Sequence, residues 1–286
     1  MTATAFAELS ERVNVALSSL SLDAPRDVEP LAAAMRYSLL AGGKRIRPAL
    51  CLAVAESVGG ELESAMPTAL AVELVHTFSL VHDDLPALDN DNLRRGRPTA
   101  HVQFGEDTAI LSGDALLTVA FALIADVQTG SAERRVATIS ELARAIGLAG
   151  MIGGQYRDLR ALDGLERTSR LKTGALLAAS CSCGATIGGA SRPVIAAARR
   201  FGEELGLLFQ IVDDILDVTG ADETIGKPAG SDERQGRVTF ASELGVDGAR
   251  ARAADVETSV RAALAELPGD PSTLAAVVEL VAKRDR

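Results

Sequence analysis

Apolar residues recur along this chain at helical spacing rather than in alternation. Leu70, Leu74, Phe78 and Val81 fall at i, i+4, i+8 and i+11, one stripe along a helix. Similar patterns run through 30–41, 47–58, 108–127, 134–151, 168–188, 194–218 and 247–266. Strand alternation is hard to find. The expected fold class is therefore all-α, a single domain over 1–286 built from about ten helices. No Ser/Gly linker divides the chain, and no internal repeat has a solenoid period. The one long irregular stretch, 219–237, is rich in glycine and charge. A loop of that length inside a compact domain is usually functional.

With 286 residues, 47% of them apolar, the chain can bury a sizeable core, and its net charge of −10 argues against a nucleic-acid surface. The apolar stretch 171–190 is broken by Lys172 and several glycines, too interrupted to span a bilayer, so no membrane-spanning segment is expected. The first residues lack a basic region followed by an apolar one, so no signal peptide is expected. Cys51, Cys181 and Cys183 cannot all pair and form no C-x-x-C, which fits a reduced, cytoplasmic protein.

Two aspartate-rich runs stand out because each lies in or beside an apolar stretch, where an unpaired carboxylate is costly. The first, H-D-D-L-P-A-L-D, holds Asp83, Asp84 and Asp89. Pro86 disfavours helix there, so Asp83 and Asp84 should lie near a helix end with Asp89 on the following turn. The second, F-Q-I-V-D-D-I-L-D, holds Asp213, Asp214 and Asp217. At roughly 100° per residue these three share one arc of about 100°, so one helix face should present all three carboxylates. Oxygen-only ligands suit a hard cation, and Mg²⁺ held by one or two carboxylates plus substrate phosphate is the usual arrangement. Were both runs to face one cavity, each like-charge pair ~6 Å apart would cost about 3 kcal/mol at an effective dielectric near 20. Either run alone also reads as a solvated acidic face.

Two basic clusters complete the set: K-R-I-R at 44–47, within G-G-K-R-I-R-P, and R-R-G-R at 94–97. The first opens a helix, which would make Lys44 and Arg47 neighbours on one turn. Guanidinium forks bind phosphate oxygens bidentately. In a chain this acidic, such clusters point to a small anion such as a diphosphate, although runs of Lys and Arg are commonly solvated surface. His76, His82 and His101 lie within 26 residues, and His76 shares a helix face with Asp83 about 10 Å away along the axis. A lone His on an apolar face is more often a core residue than a ligand.

Taken together, G-G-K-R-I-R-P (42–48), V-E-L-V-H (72–76), D-D-L-P-A-L-D-N-D-N-L-R-R-G-R-P-T (83–99), G-Q (154–155), K-T-G (172–174), the second aspartate run (209–217) and G-K-P (226–228) resemble the trans-isoprenyl diphosphate synthase family. The likeness is to bacterial farnesyl and geranylgeranyl diphosphate synthases in particular, and it runs from about residue 30 to the C-terminus. It implies an all-α bundle around a deep central cavity, usually a homodimer, that condenses isopentenyl diphosphate with allylic diphosphates. It also implies roles. Asp83 and Asp89 would bind two Mg²⁺ ions and Asp213 a third, with Asp84, Asp214 and Asp217 as further ligands or their supports. Lys44, Arg47, His76 and Arg95 would hold isopentenyl diphosphate. Arg94, Lys172 and Lys227 would hold the allylic diphosphate, and Thr173 and Gln210 would turn their oxygens toward the allylic cation.

One segment departs from the family. Where G-K-x-T-Y-P commonly follows the second aspartate run, this chain has G-R-V-T-F-A, with Arg237, Phe240 and Ala241. Arg237 keeps the charge and changes its shape. Product length in the family is set by residues five and four before the first aspartate, here Phe78 and Ser79. An aromatic at the first of these, with two extra residues between Asp84 and Asp89, resembles farnesyl diphosphate synthases, so a C15 product is expected and C20 is the alternative. Helix geometry leaves Phe78 open, since it lies about 7.5 Å along and about 140° around the axis from Asp83, and an ordinary core phenylalanine fits equally. A terpene cyclase shares the fold and the first aspartate run but needs no second diphosphate site. A non-catalytic partner subunit typically loses aspartates that this chain keeps.

Overall fold

A computed structural model describes residues 2–219 and 237–283. The described residues form thirteen α-helices: α1 Thr2–Ser18, α2 Glu29–Leu39, α3 Ile46–Ser57, α4 Leu62–Asp83, α5 Ala100–Phe104, α6 Glu106–Ala122, α7 Ala132–Ile146, α8 Met151–Leu159, α9 Leu165–Ser169, α10 Ala175–Gly188, α11 Arg192–Thr219, α12 Phe240–Leu264 and α13 Ser272–Ala282. Two π-helical turns, Leu123–Val127 and Arg170–Gly174, continue α6 and join α9 to α10. Leu93–Arg94 and Arg97–Pro98 pair as a two-residue antiparallel hairpin, β1 and β2. The all-α expectation holds, with α1, α5, α8 and α13 in addition to the stretches that periodicity picked out. The long irregular stretch and Lys227 lie outside the described residues, apart from the ends of that stretch.

The core centres on α10, where eleven of fourteen residues are buried, and on α3, α4 and α11 packed around it. Cys51, Cys181 and Cys183 are all buried here as free thiols, and burial pushes Cys51 up to about 12, so none is a ready nucleophile. The expected single helix 134–151 is broken: Gly147 to Gly150 separate α7 from α8. A Cβ at Gly150 would stand 2.0 Å from the Ala145 carbonyl oxygen, so only glycine permits that break. Leu62–Asp83, Glu106–Val127 and Ala132–Leu159 are long and apolar enough to cross a membrane by length and composition, while 171–190 is not among these segments.

Helix α4 runs through Pro67, which has no N–H to give its turn. Gln128, just past the first π turn, repairs this stretch. Its Oε1 accepts from the Thr68 N–H (3.1 Å) and hydroxyl (2.6 Å), and its Nε2 donates to the Ser64 carbonyl (2.6 Å). Thr68 and Ser64 are the two groups that a regular helical turn would pair. Gln128→Ala is expected to destabilise the chain by about 1–3 kcal/mol through the buried Thr68 groups it strands. A urea midpoint equal to that of wild type would show that the amide is dispensable.

Candidate active site

Helix α4 ends at Asp83, with Asp84 as its C-cap, and the chain folds back over Pro86 so that the Asp89 N–H donates to the Asp83 carbonyl at 2.8 Å. The predicted helix end and following turn are both present. The two neighbouring aspartates then part. Asp84 is buried, and the Arg94 Nε and Nη2 grip its carboxylate at 2.6–2.8 Å. Asp83 instead lines a cavity of about 410 Å³ together with Arg47, His76, Phe78, Lys172 and Thr173. Burial, with Asp89 and Asp84 as like-charged neighbours, raises the Asp83 carboxyl to about 6 against the pull of Lys172 and Arg94.

The cations gather from two loops. Arg45 precedes α3 in the left-handed conformation (φ 50°) and is pinned by the buried carboxylate of Glu73 and the Asn14 and Leu39 oxygens. This launches α3 so that the Arg47 Nη1 reaches the His76 Nε2 at 3.4 Å. Burial brings Arg47 down to about 10, with Glu73 raising it, Arg95 lowering it and Asp213 raising it. Burial and then Arg47 and Arg95 hold His76 well below its ordinary value, so it is neutral and accepts through Nε2. The expected Lys44–Arg47 helical neighbourhood does not form, because Lys44 lies exposed before the left-handed residue, outside the helix. Arg95 and Gly96 turn the hairpin with φ of 54° and 73°, the two-residue turn in which both residues have positive φ. Arg95 lies against Gly43 and donates to the Gly42 carbonyl, so the two basic clusters meet there.

The second π turn carries Lys172 and Thr173. It is held between α8 and α11 by bare backbone. A Cβ at Gly154 would lie 2.2 Å from the Lys172 nitrogen, and one at Gly206 would lie 2.5 Å from the Gly174 Cα. π turns inside α-helices occur often at functional sites. The Lys172 ammonium pairs with Asp158 at 2.6 Å. Thr173 donates its hydroxyl to the Gln210 Oε1 (2.7 Å), and the Gln210 Nε2 donates to Asp214 (2.7 Å). Thr173 therefore offers only lone pairs to the cavity. Gln210 lies in a smaller pocket beside it and orients Thr173 rather than facing the cavity.

The three-carboxylate face expected on α11 splits. Asp213 is exposed, whereas Asp214 and Asp217 are 3% and 8% exposed. The cause is α12: its first N–H, on Phe240, donates to Asp214 at 2.8 Å, and a helix N-terminus favours an anion. Thr239 and Ser242 cap the same end reciprocally. Arg237, just before this cap, pairs with Asp89 from the first run and stands 3.5 Å from Asp158. The segment that departs from the family pattern therefore ties the two aspartate runs together.

Sequence reasoning gave no role to two polar residues, Asp158 and the Gln155 of the quoted G-Q. Asp158 bridges Lys172 and Arg237, and only its place three residues after the quoted G-Q could have marked it. Gln155 lines the cavity with both amide atoms buried and no hydrogen-bond partner among the described residues, so its donor and acceptor are both available to polar atoms in the cavity.

The donor set fits a hard divalent cation. It is all oxygen, and Asp83 is a cavity carboxylate whose ionised form burial and its aspartate neighbours disfavour, so a cation there is welcome. Among the described residues no three His, Cys, Asp or Glu side chains converge into a cage.

The family model described as polyprenyl synthetase matches residues 28–280. The chain is 48% identical to the chloroplastic geranylgeranyl pyrophosphate synthase of Catharanthus roseus, across 88% of this chain and 73% of that one. It is 43% identical to the farnesyl diphosphate synthase of Escherichia coli (strain K12), across 96% of each. The crystal structure of the Helicobacter pylori geranyltransferase complexed with magnesium and isoprenyl diphosphate superposes with a TM-score of 0.88 at 33% identity, covering 98% of this chain and 97% of that one.

The raised Asp83 carboxyl has a measurable consequence. The folded chain holds this proton from 3.8, the unfolded value, up to about 6, so its stability falls as pH rises through that window. In metal-free solution at pH 7, Asp83→Asn is expected to be more stable than wild type by about 1–3 kcal/mol, with the gap closing below about pH 4. Urea unfolding followed by circular dichroism at the two pH values checks this. Equal stability at pH 7 would mean that the carboxylate is not strained.

Proposed function

This chain belongs to the polyprenyl synthetase family and is a prenyltransferase, and we propose that it joins isopentenyl diphosphate head-to-tail to dimethylallyl and geranyl diphosphates, with farnesyl diphosphate as its main product. The observation that carries this reading is a single cavity lined by Arg47 and His76, by Asp83 and Lys172, and by the apolar Phe78, Leu88 and Met151. That lining supports a reading in which diphosphate oxygens meet the polar residues and a growing tail meets the apolar ones.

In this reading Lys44, Arg47, His76 and Arg95 bind the isopentenyl diphosphate. Neutral His76 stays a hydrogen-bond partner without adding charge. Lys172 and Arg237 leave Asp158 and Asp89 to meet the allylic diphosphate, with Lys227 as a further cation. Arg94 serves that site by holding Asp84 in place. Three Mg²⁺ ions are proposed, two at Asp83 and Asp89 and one at Asp213, with Asp214 and Asp217 shaping the surroundings of the third. When bound, Mg²⁺ stabilises the charge that grows on the departing diphosphate. Thr173 presents lone pairs toward the carbon that becomes cationic, and Gln210 keeps them so aimed. The apolar walls around Phe78, Leu88 and Met151 keep water from that carbon.

Phe78 is 7% exposed and lines the same cavity as Asp83, which supports its role as a floor and hence a C15 product. The likeness to geranylgeranyl pyrophosphate synthases favours C20 as the second reading. We also propose a homodimer, supported by Ile110 and Leu111 on α6, Val136 on α7 and Leu148 beyond it, all large apolar residues that are 43–90% exposed. A monomeric mass by light scattering at micromolar concentration would count against it.

Product analysis with isopentenyl diphosphate, each allylic primer and saturating Mg²⁺ tests the main reading. Asp83→Ala and Asp213→Ala are expected to lower turnover at least about 10²-fold with the helical signal intact. Arg95→Ala is expected mainly to raise KM for isopentenyl diphosphate. Phe78→Ala is expected to move products to C20 or longer. No turnover with any primer would overturn the assignment, and turnover of the aspartate variants close to that of wild type would place those carboxylates outside the chemistry.

A further inference from the structure

Phe78 does not stand alone in the cavity wall. One helical turn on, His82 lines the same cavity, and the two rings meet edge to face with centroids 5.0 Å apart and planes at 76°. His82 is also tethered outward. Its Nε2 lies 2.9 Å from the Ile110 carbonyl oxygen of α6. A carbonyl only accepts, so this nitrogen carries the proton and donates. Asp114, 3.8 Å from the same nitrogen, lies on the solvent side of the contact. The fit of α6 against the imidazole depends on one residue. A Cβ on Gly113 would stand 2.3 Å from Nε2 and 2.5 Å from Cδ2. The imidazole is therefore held on three sides, by the Phe78 ring, the Ile110 carbonyl and the bare Gly113 backbone.

We propose that His82, clamped against Gly113 and Ile110, is a second determinant of product length and acts by bracing the Phe78 ring across the cavity floor. The proposal rests on the reading of Phe78 as that floor. A phenylalanine side chain has two free torsions and its own rotamer wells. A growing prenyl tail pressing on the ring pushes it toward another well unless something blocks that swing. His82 fills the space that the ring would enter, and its bond to α6 keeps it from moving away in turn. His82 is thus a positioning residue that acts through the ring at the tail's stop.

The test compares product distributions at equal extent of reaction for Phe78→Ala, His82→Gln, His82→Phe, Gly113→Ala and the double variant Phe78→Ala/His82→Gln. Circular dichroism and a thermal midpoint establish that each is folded. His82→Gln keeps an N–H donor for Ile110 and loses the ring, so the ratio of one-unit-longer product to wild-type product is expected to rise about two- to tenfold, the factor that one aromatic edge contact carries. Gly113→Ala displaces the imidazole without altering either ring and is expected to shift products the same way. His82→Phe keeps an aromatic edge beside Phe78 and is expected to shift them less than His82→Gln. The double variant is expected to match Phe78→Ala alone, because a brace has no effect without the ring it supports. A shift with Phe78→Ala but none with His82→Gln or Gly113→Ala would overturn the brace and leave the floor standing. Additive shifts in the double variant would overturn it too, making His82 a wall in its own right. No shift in any variant would remove the floor itself and the brace with it.

Discussion

Carboxylates beside an apolar cavity cannot remain ionised without positive partners, and this constraint organises the rest of the molecule. At an effective dielectric near 20, each uncompensated pair of neighbours costs a few kcal/mol, a sizeable part of what holds any fold together. The chain meets the constraint with its own cations. Arg94 closes on Asp84, Arg237 on Asp89 and Lys172 on Asp158. Asp214 is met by a helix N-terminus and the Gln210 amide. Asp83 feels Lys172 and Arg94, yet burial and its aspartate neighbours outweigh them, and it faces the cavity with its carboxyl raised. The site is a set of internal ion pairs that a bound cation and diphosphate can exchange with, at a smaller cost than exposing bare charges.

The fold serves that exchange by fixing where each charge starts. Lys172 and Thr173 sit on a π turn wedged between two glycine-lined helix faces. A side chain at Gly154 or Gly206 would push the turn outward and move both functional groups. Arg45 and Glu73, almost wholly buried, do the same for Arg47: their pair joins the start of α3 to the middle of α4. Removing either partner of such a pair leaves a buried charge uncompensated, which costs more than the pair contributes. Precision at the cavity is thus borrowed from contacts that never touch substrate.

Much of this was legible in the residues themselves. Pro86 foretold the end of α4, helical spacing marked the central helices, and the two aspartate runs and two basic clusters singled out segments that the fold brings together. What was not legible depended on tertiary partners. The arc of Asp213, Asp214 and Asp217 was sound as helix geometry, but α12 takes Asp214 as a cap, and nothing near 214 announces that. Lys44 and Arg47 have helical spacing, yet the left-handed Arg45 between them puts Lys44 outside the turn. Asp158 became visible only when Lys172 and Arg237 closed on it from distant segments. The break between α7 and α8 was written in Gly147 and Gly150 and hidden by the apolar run around them.

In the proposed reading, cation and diphosphate enter this site together, each completing the other's coordination. Calorimetric titration of inorganic pyrophosphate into the protein, with Mg²⁺ saturating or chelated away, tests it most directly. Linkage requires that Mg²⁺ tighten pyrophosphate binding by the same factor as pyrophosphate tightens Mg²⁺. The account predicts at least about a tenfold gain in affinity with Mg²⁺, corresponding to about 1.4 kcal/mol of coupling, and loss of most of that gain in Asp83→Ala. Equal affinity with and without Mg²⁺ would contradict it.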